Sequence, residues 1–392
     1  MPTRAVSASA VRGMTMVTIG SMTANIASYL LHLPASRVLG VDGYGEFASL
    51  LAAQLVLAVP ALALQSVVAR EMVRGRSRRA LRTLGYRCAA VVAVLAVLLS
   101  PVVAFALDTS VLATMSALVV APLLVLLATE QGLLQGAGQF GRLSVVLASA
   151  GFGKVVPAVV VLFLGGGPGV VLAASAAGTG VVALAARLLD RGDGTAGSAV
   201  RIGVGTVLRA SQVQLALIAL SSVDLMLARI LLSSEDAGLY ALGAVATKAA
   251  FWLPQAVGVV LYPRMANPVQ SAAALRSALA VVASIGSVLV LGSALAAGLI
   301  PIVVGEGYAA VQGYLFIFAL QGACLAVLQS ALLWAIAGER TVLALVAWFG
   351  LLVEVLLLTL LASTLVQFVV IAVSVAAATP AVVCAVALTD RR

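Results

Sequence analysis

The sequence has very little charge to spread over a water-facing surface. Only 9% of its 392 residues are Asp, Glu, Lys or Arg, where a soluble domain carries about 25%. Histidine occurs once, at His32, and lysine twice, at Lys154 and Lys248. Each scarcity excludes something. One histidine and three cysteines (Cys88, Cys324, Cys384), all in or beside apolar runs, leave no metal-ligand spacing and no disulfide framework. The cysteines read as small buried hydrophobes. The glycine run "GGGPG" at 165–169 lacks the following Lys and Ser or Thr of a phosphate loop. No outer loop is longer than about ten residues, and no carboxylates cluster, so no catalytic constellation is assembled and an enzyme is not expected. No cofactor is expected beyond H+ or Na+ as a coupling ion.

What the chain has is hydrocarbon: 63% of residues are hydrophobic and the mean hydropathy is +1.18. Apolar runs of about 20 residues, each able to cross a hydrocarbon core of about 30 Å as a helix, follow one another from end to end. Twelve spans are predicted, at 14–36, 46–69, 88–107, 111–131, 143–164, 169–189, 207–229, 237–261, 278–300, 310–336, 342–361 and 365–388. The breaks between them carry turn chemistry, such as "VDGYGE", "GGGPG" and "DRGDGTAGS". The first run is long and leads straight into further runs, so it reads as a span and not as a cleaved signal. The expected architecture is an all-α integral membrane protein.

The net charge of +9 follows membrane logic and does not point to nucleic acid. With both termini in the cytoplasm, 19 of the arginines fall inside and only Arg37 and Arg229 outside, while Asp42, Glu46, Asp108, Glu235, Asp236 and Glu306 fall outside. That bias predicts a multi-pass cell-membrane protein with cytoplasmic termini. The two lysines are left over, near the middle of spans five and eight.

The chain also repeats itself. Gly45 pairs with Gly238 and Phe47 with Tyr240, 193 residues apart; Pro60 pairs with Pro254 and Arg70 with Arg264, 194 apart. Spans one and two thus correspond to seven and eight in the same direction. Two six-helix lobes, related by a pseudo-two-fold along the membrane normal, are predicted. Their bounds are 1–189 and 207–392, with a cytoplasmic linker at 190–206.

"SRVLGVDGYGEFASLL", "SSVDLMLARILLSSEDAGLYALG", "VVLYPRMA" and "VVGEGYAAVQGYLFIFAL" resemble, in order and spacing, the polysaccharide flippases of the multidrug/oligosaccharidyl-lipid/polysaccharide exporter superfamily. The resemblance covers most of the chain and implies a monomer whose two lobes flank a central cavity. It implies alternating access that carries a lipid-linked oligosaccharide from the cytoplasmic to the outer leaflet. A cation-coupled drug exporter of the same superfamily is the competing reading.

Polar residues inside spans should face a cavity or a partner helix. Span one places Asn25 and His32 on a stripe with Ser21, Ser28 and Ser36; span two places Gln54 with Gln65; span eight places Tyr240, Lys248 and Gln255 on one face. Packing of small and hydroxyl residues explains part of these stripes. It does not explain Lys248, Lys154, Asp224 and Glu354, because a charge at mid-membrane costs at least about 2.5 kcal/mol. Two arrangements would compensate. One is a structural ion pair of Asp224 or Glu354 with either lysine. The other is a hydrated path for an anionic headgroup, lined by Lys248 and Lys154, with Arg37 at the outer mouth and Arg70 and Arg264 at the inner one. Asp224 is the first candidate for ion coupling. The arginines after span two are further candidates for binding anionic lipid heads.

Overall fold

The structure, a computed structural model, describes residues 8–189, 204–205, 207, 211–254, 265, 271–337 and 343–389. Among them every regular element is helical. Nine stretches are long and apolar enough to cross a membrane. The first, Ile19–Val73, has 55 residues and is long enough to cross twice. With the shorter apolar helix Leu345–Leu361 and helix Ser234–Trp252, which runs to the edge of the undescribed segment at 255–264, the twelve expected spans are accounted for.

The first half supplies α1 (Ala8–Leu30), α2 (His32–Leu57), α3 (Val59–Val73), α4 (Arg78–Ala106), α5 (Val111–Leu118), α6 (Val120–Gly136), α7 (Phe140–Phe163) and α8 (Pro168–Leu189). The second supplies α9 (Gln212–Leu220), α10 (Val223–Leu231), α11 (Ser234–Trp252), α12 (Ser271–Ala296), α13 (Ile300–Val303), α14 (Leu315–Ala337), α15 (Ala344–Leu361) and α16 (Leu365–Thr389). Three expected boundaries move. The first outer turn is almost entirely helical, and only Gly40, at φ 69°, interrupts α2, because a residue without Cβ tolerates that conformation. The outer turn before span ten winds into a 3-10 helix, Glu306–Tyr314, after Gly305 at φ 134°. Span seven, expected unbroken, is split between α9 and α10.

By contacts the chain divides into unit 1, residues 1–38 and 53–212, and unit 2, residues 39–52 and 213–392. The first-half segment 39–52 therefore packs within unit 2, across the lobe boundary expected from the repeat.

Lipid supplies no hydrophobic force between helices, so close approach depends on small residues. In unit 1, a Cβ on Gly132 of α6 would lie 2.7 Å from the Gln65 carbonyl oxygen of α3, and one on Gly151 of α7 would lie 2.5 Å from Cα of Ala24 on α1. Across the α1–α7 contact, Ser144 Oγ donates to the Met16 carbonyl at 2.7 Å. Unit 2 uses the same device. Gly243 of α11 receives the Phe318 ring of α14, and Gly322 of α14 meets the Thr247 carbonyl of α11. The repeat-related pair also meets: a Cβ on Gly45 would lie 3.1 Å from the Gly238 nitrogen. Beside them Tyr44 packs edge-on to Tyr308, whose hydroxyl donates to the Gly40 carbonyl at 3.1 Å.

One ion pair holds unit 1 near the ends of α4 and α6. Arg82 donates through Nε and Nη2 to both oxygens of Glu130, each at 2.9 Å, and both residues are 4% exposed. Arg187 of α8 adds a second cationic group, 3.9 Å from Glu130. Removing one member of a buried bidentate pair leaves an unanswered charge. Arg82→Leu is therefore expected to lower unfolding stability in detergent by about 3–5 kcal/mol. The double change Arg82→Leu, Glu130→Leu should recover much of that loss. Equal losses in the single and double variants, read from denaturant curves, would contradict a coupled pair.

Candidate functional site

The break in span seven builds the site. α9 stops at Leu220, and Ser221 and Ser222 form a turn before α10. Ser221 Oγ folds back onto the Ile218 carbonyl at 3.0 Å, and Ser222 has a non-helical φ of −142°. A break in hydrocarbon leaves backbone groups that the protein must satisfy. Lys248, one helix away on α11, does part of this: its Nζ donates to the Ser221 carbonyl at 3.3 Å and to Ser222 Oγ at 3.0 Å.

Asp224 sits in the first turn of α10 and is 1% exposed. A carboxylate there meets the positive end of the helix dipole. Its Oδ1 accepts from the Leu225 backbone N–H at 2.8 Å. Its Oδ2 accepts from Tyr240 Oη at 2.7 Å and from Gln321 Nε2 at 2.9 Å. These donors are themselves oriented. The Tyr240 ring is held edge-on by Phe318 and Phe368, with centroids 5.1 and 5.3 Å away. Thr247 Oγ1, which donates to the Phe318 carbonyl at 2.9 Å, lies 3.3 Å from Gln321 Oε1, on the side of the amide away from Asp224. Lys248 and Glu354 both lie within electrostatic reach of Asp224. Glu354, on α15, is 1% exposed, and its buried Oε2 has no hydrogen-bond partner among the described residues.

Unit 2 thus brings together three of the four mid-span charges: Asp224, Lys248 and Glu354. Lys154 lies on α7 in unit 1. Asp224 accepts from three neutral donors, with Lys248 near enough to act on it electrostatically. The mouth residues divide. Arg70 is 54% exposed and 3.4 Å from Glu71; Arg37 is exposed; Arg264 and Gln255 lie outside the described residues. Asn25 is exposed, His32 is partly buried, and Gln65 donates to Gln135 at 3.2 Å. Gln54 is 3% exposed with an unpartnered Oε1, so it is buried in packing. The serine hydroxyls of the first-span stripe turn inward on their own helices: Ser28 donates to the Ala24 carbonyl and Ser36 to that of Leu33. Gln321 and Ser222 were not singled out from the sequence. An isolated glutamine in an otherwise apolar span was the available signal for the first. A serine pair just before a mid-span aspartate was the signal for the second.

No family model matches the chain, and no curated protein matches it by sequence. Solved structures do. The chain is 13% identical to a multidrug resistance MATE family transporter of the MOP superfamily in an inward-facing conformation, with 96% of this chain and 99% of that one aligned and a TM-score of 0.70. The eukaryotic MATE transporter AtDTX14 aligns over 97% and 96% at 14% identity with a TM-score of 0.65. A Vibrio cholerae MATE transporter, VcmN, gives 15% identity and a TM-score of 0.65, again over 97% and 96%. The chain has the MATE transporter fold. The polytopic, all-helical architecture expected from the sequence agrees with these matches.

The network predicts its own weak points. Tyr240→Phe deletes one donor to a buried carboxylate and should cost about 1–3 kcal/mol. Lys248→Met should cost a similar amount by uncovering the Ser221 carbonyl. Thermal melts of the two variants in detergent check both. A Lys248→Met protein as stable as the wild type would contradict its role at the helix break.

Proposed function

We propose that this chain is a transporter that moves a polyprenyl-(pyro)phosphate-linked oligosaccharide from the cytoplasmic to the outer leaflet of the cell membrane. In this reading both termini are cytoplasmic, a monomer of two lobes is the working unit, and the lobes alternate access to a central path. The observation that carries the reading is a cationic group kept at mid-span: Lys248 is held at a helix break and not on a protein surface. A pyrophosphate crossing hydrocarbon must exchange water for fixed donors, and an ammonium is suited to that exchange. Lys154, Arg37, Arg70 and Arg264 extend the path in this proposal. The sequence motifs quoted above, which resemble the polysaccharide flippases, support the same cargo. Asp224 and Glu354 are the proposed coupling carboxylates, taking up H+ or Na+ in step with transport.

A second reading has its own observation in favour. Two buried carboxylates in one unit suit a cation-driven exporter, and one of the similar structures is that of a multidrug resistance MATE family transporter. Cationic drugs in place of anionic lipids would then be the cargo.

Thermal stability of the purified protein separates the two, because a ligand that binds only the folded state raises Tm. Undecaprenyl pyrophosphate at about 100 times its Kd should stabilise by about 2.7 kcal/mol, and an uncharged polyprenol should do much less. Lys248→Ala should remove most of the pyrophosphate shift. Stabilisation by a cationic dye alone, unchanged in Lys248→Ala, would overturn the lipid-linked cargo in favour of the drug exporter.

A further inference from the structure

Unit 1 carries a surface that, Arg70 apart, the transport reading does not use. Residues 70–87 hold seven arginines and one glutamate. The structure sorts them into two groups. Arg82 is buried against Glu130, and Arg70, Arg74 and Arg76 gather around the single buried carboxylate of Glu71, at 3.4, 2.9 and 3.6 Å. One carboxylate among three guanidiniums orders them without neutralising them, and Arg74 stays 62% exposed. Arg79 and Arg87, on the exposed face of α4, have no ion-pair partner among the described residues. Tyr86 lies exposed between them along the same face.

The face continues as hydrocarbon. Beyond Arg87 the exposed positions of α4 are apolar from Ala90 to Phe105, which is 92% exposed. At 1.5 Å per residue, Arg87 to Phe105 spans about 27 Å, close to the about 30 Å of a hydrocarbon core. A band of guanidiniums, then an amphipathic aromatic ring, then an acyl-length apolar stripe matches the profile of one kind of partner: a lipid with an anionic head.

We infer that the exposed face of α4, with Arg79 and Arg87 at its basic end and Arg70 and Arg74 beside it, binds anionic glycerophospholipid headgroups of the surrounding leaflet, with the acyl chains lying along the apolar stripe. Only four residues, Arg74 to Ser77, join α3 to α4, so both helix ends face one headgroup layer. Guanidiniums grip phosphate bidentately, so the preference is for a phosphodiester head of net negative charge over a zwitterionic one.

Electron paramagnetic resonance of the full chain in vesicles tests this, with spin-labelled phosphatidylglycerol and phosphatidylcholine compared at equal mole fraction. The motionally restricted fraction should favour phosphatidylglycerol by about fivefold in relative association constant, from about one arginine's worth of surface attraction. The preference should shrink at high salt and collapse in the double variant Arg79→Gln, Arg87→Gln. These are exposed changes that should leave folding intact. Arg276→Gln, which removes one exposed charge from unit 2, should leave the preference in place. Equal restriction of the two lipids, an undiminished preference in the double variant, or an equal loss in Arg276→Gln would overturn the assignment. So would displacement of the labelled lipid by equimolar undecaprenyl pyrophosphate, which would give the patch to the transported cargo.

Discussion

A charge inside hydrocarbon has to be answered by the chain itself, and unit 2 is organised around one such answer. Asp224 is nearly sealed from solvent, and a backbone N–H, a tyrosine and a glutamine all point at its carboxyl group. Each donor comes from a different place: α10 itself, α11 and α14. The carboxylate therefore fixes three helices relative to one another, and anything that altered its charge state would be felt by all three. Buried polar networks act as units when every member is satisfied. Glu354 is the member that is not: among the described residues nothing partners its buried Oε2.

The helix break and the network depend on each other. Splitting span seven frees a carbonyl that Lys248 receives, and it starts a new helix whose first turn holds Asp224. Transport proteins repeatedly use discontinuous helices in this way, because a half-helix end brings partial charge to mid-membrane without a full ion. In unit 1 the comparable role falls to the Arg82–Glu130 pair, which satisfies both charges outright. The two units thus treat buried charge differently: unit 1 closes it off, and unit 2 keeps it near a break in the backbone.

The sequence disclosed the membrane class and the span count, because those follow from the length of the apolar runs and the turn chemistry between them. It also disclosed Gly45 and Gly238 as equivalents, and the structure places them in contact. It did not disclose the break at Ser221 and Ser222. Serine is tolerated within helices, no glycine or proline marks the spot, and the competing demand comes from Lys248, 26 residues later. Nor did it tie Arg82 to Glu130, 48 residues apart. Arg82 read as one of a loop's arginines, and helix winding alone buries it while leaving Arg79 and Arg87 exposed. Long-range partners of this kind depend on which faces meet, and periodicity within one helix cannot supply that.

The most direct measurement is flux of a fluorescent short-chain polyprenyl pyrophosphate sugar across vesicles holding the purified protein, with and without an imposed Na+ or proton gradient. The account predicts gradient-dependent flux in the wild type. It predicts that Asp224→Asn, which keeps the acceptor oxygen but not the charge, loses the gradient dependence while still folding. Gradient dependence unchanged in Asp224→Asn, or no flux of the pyrophosphate under either gradient, would contradict a transport role for the buried charges of unit 2.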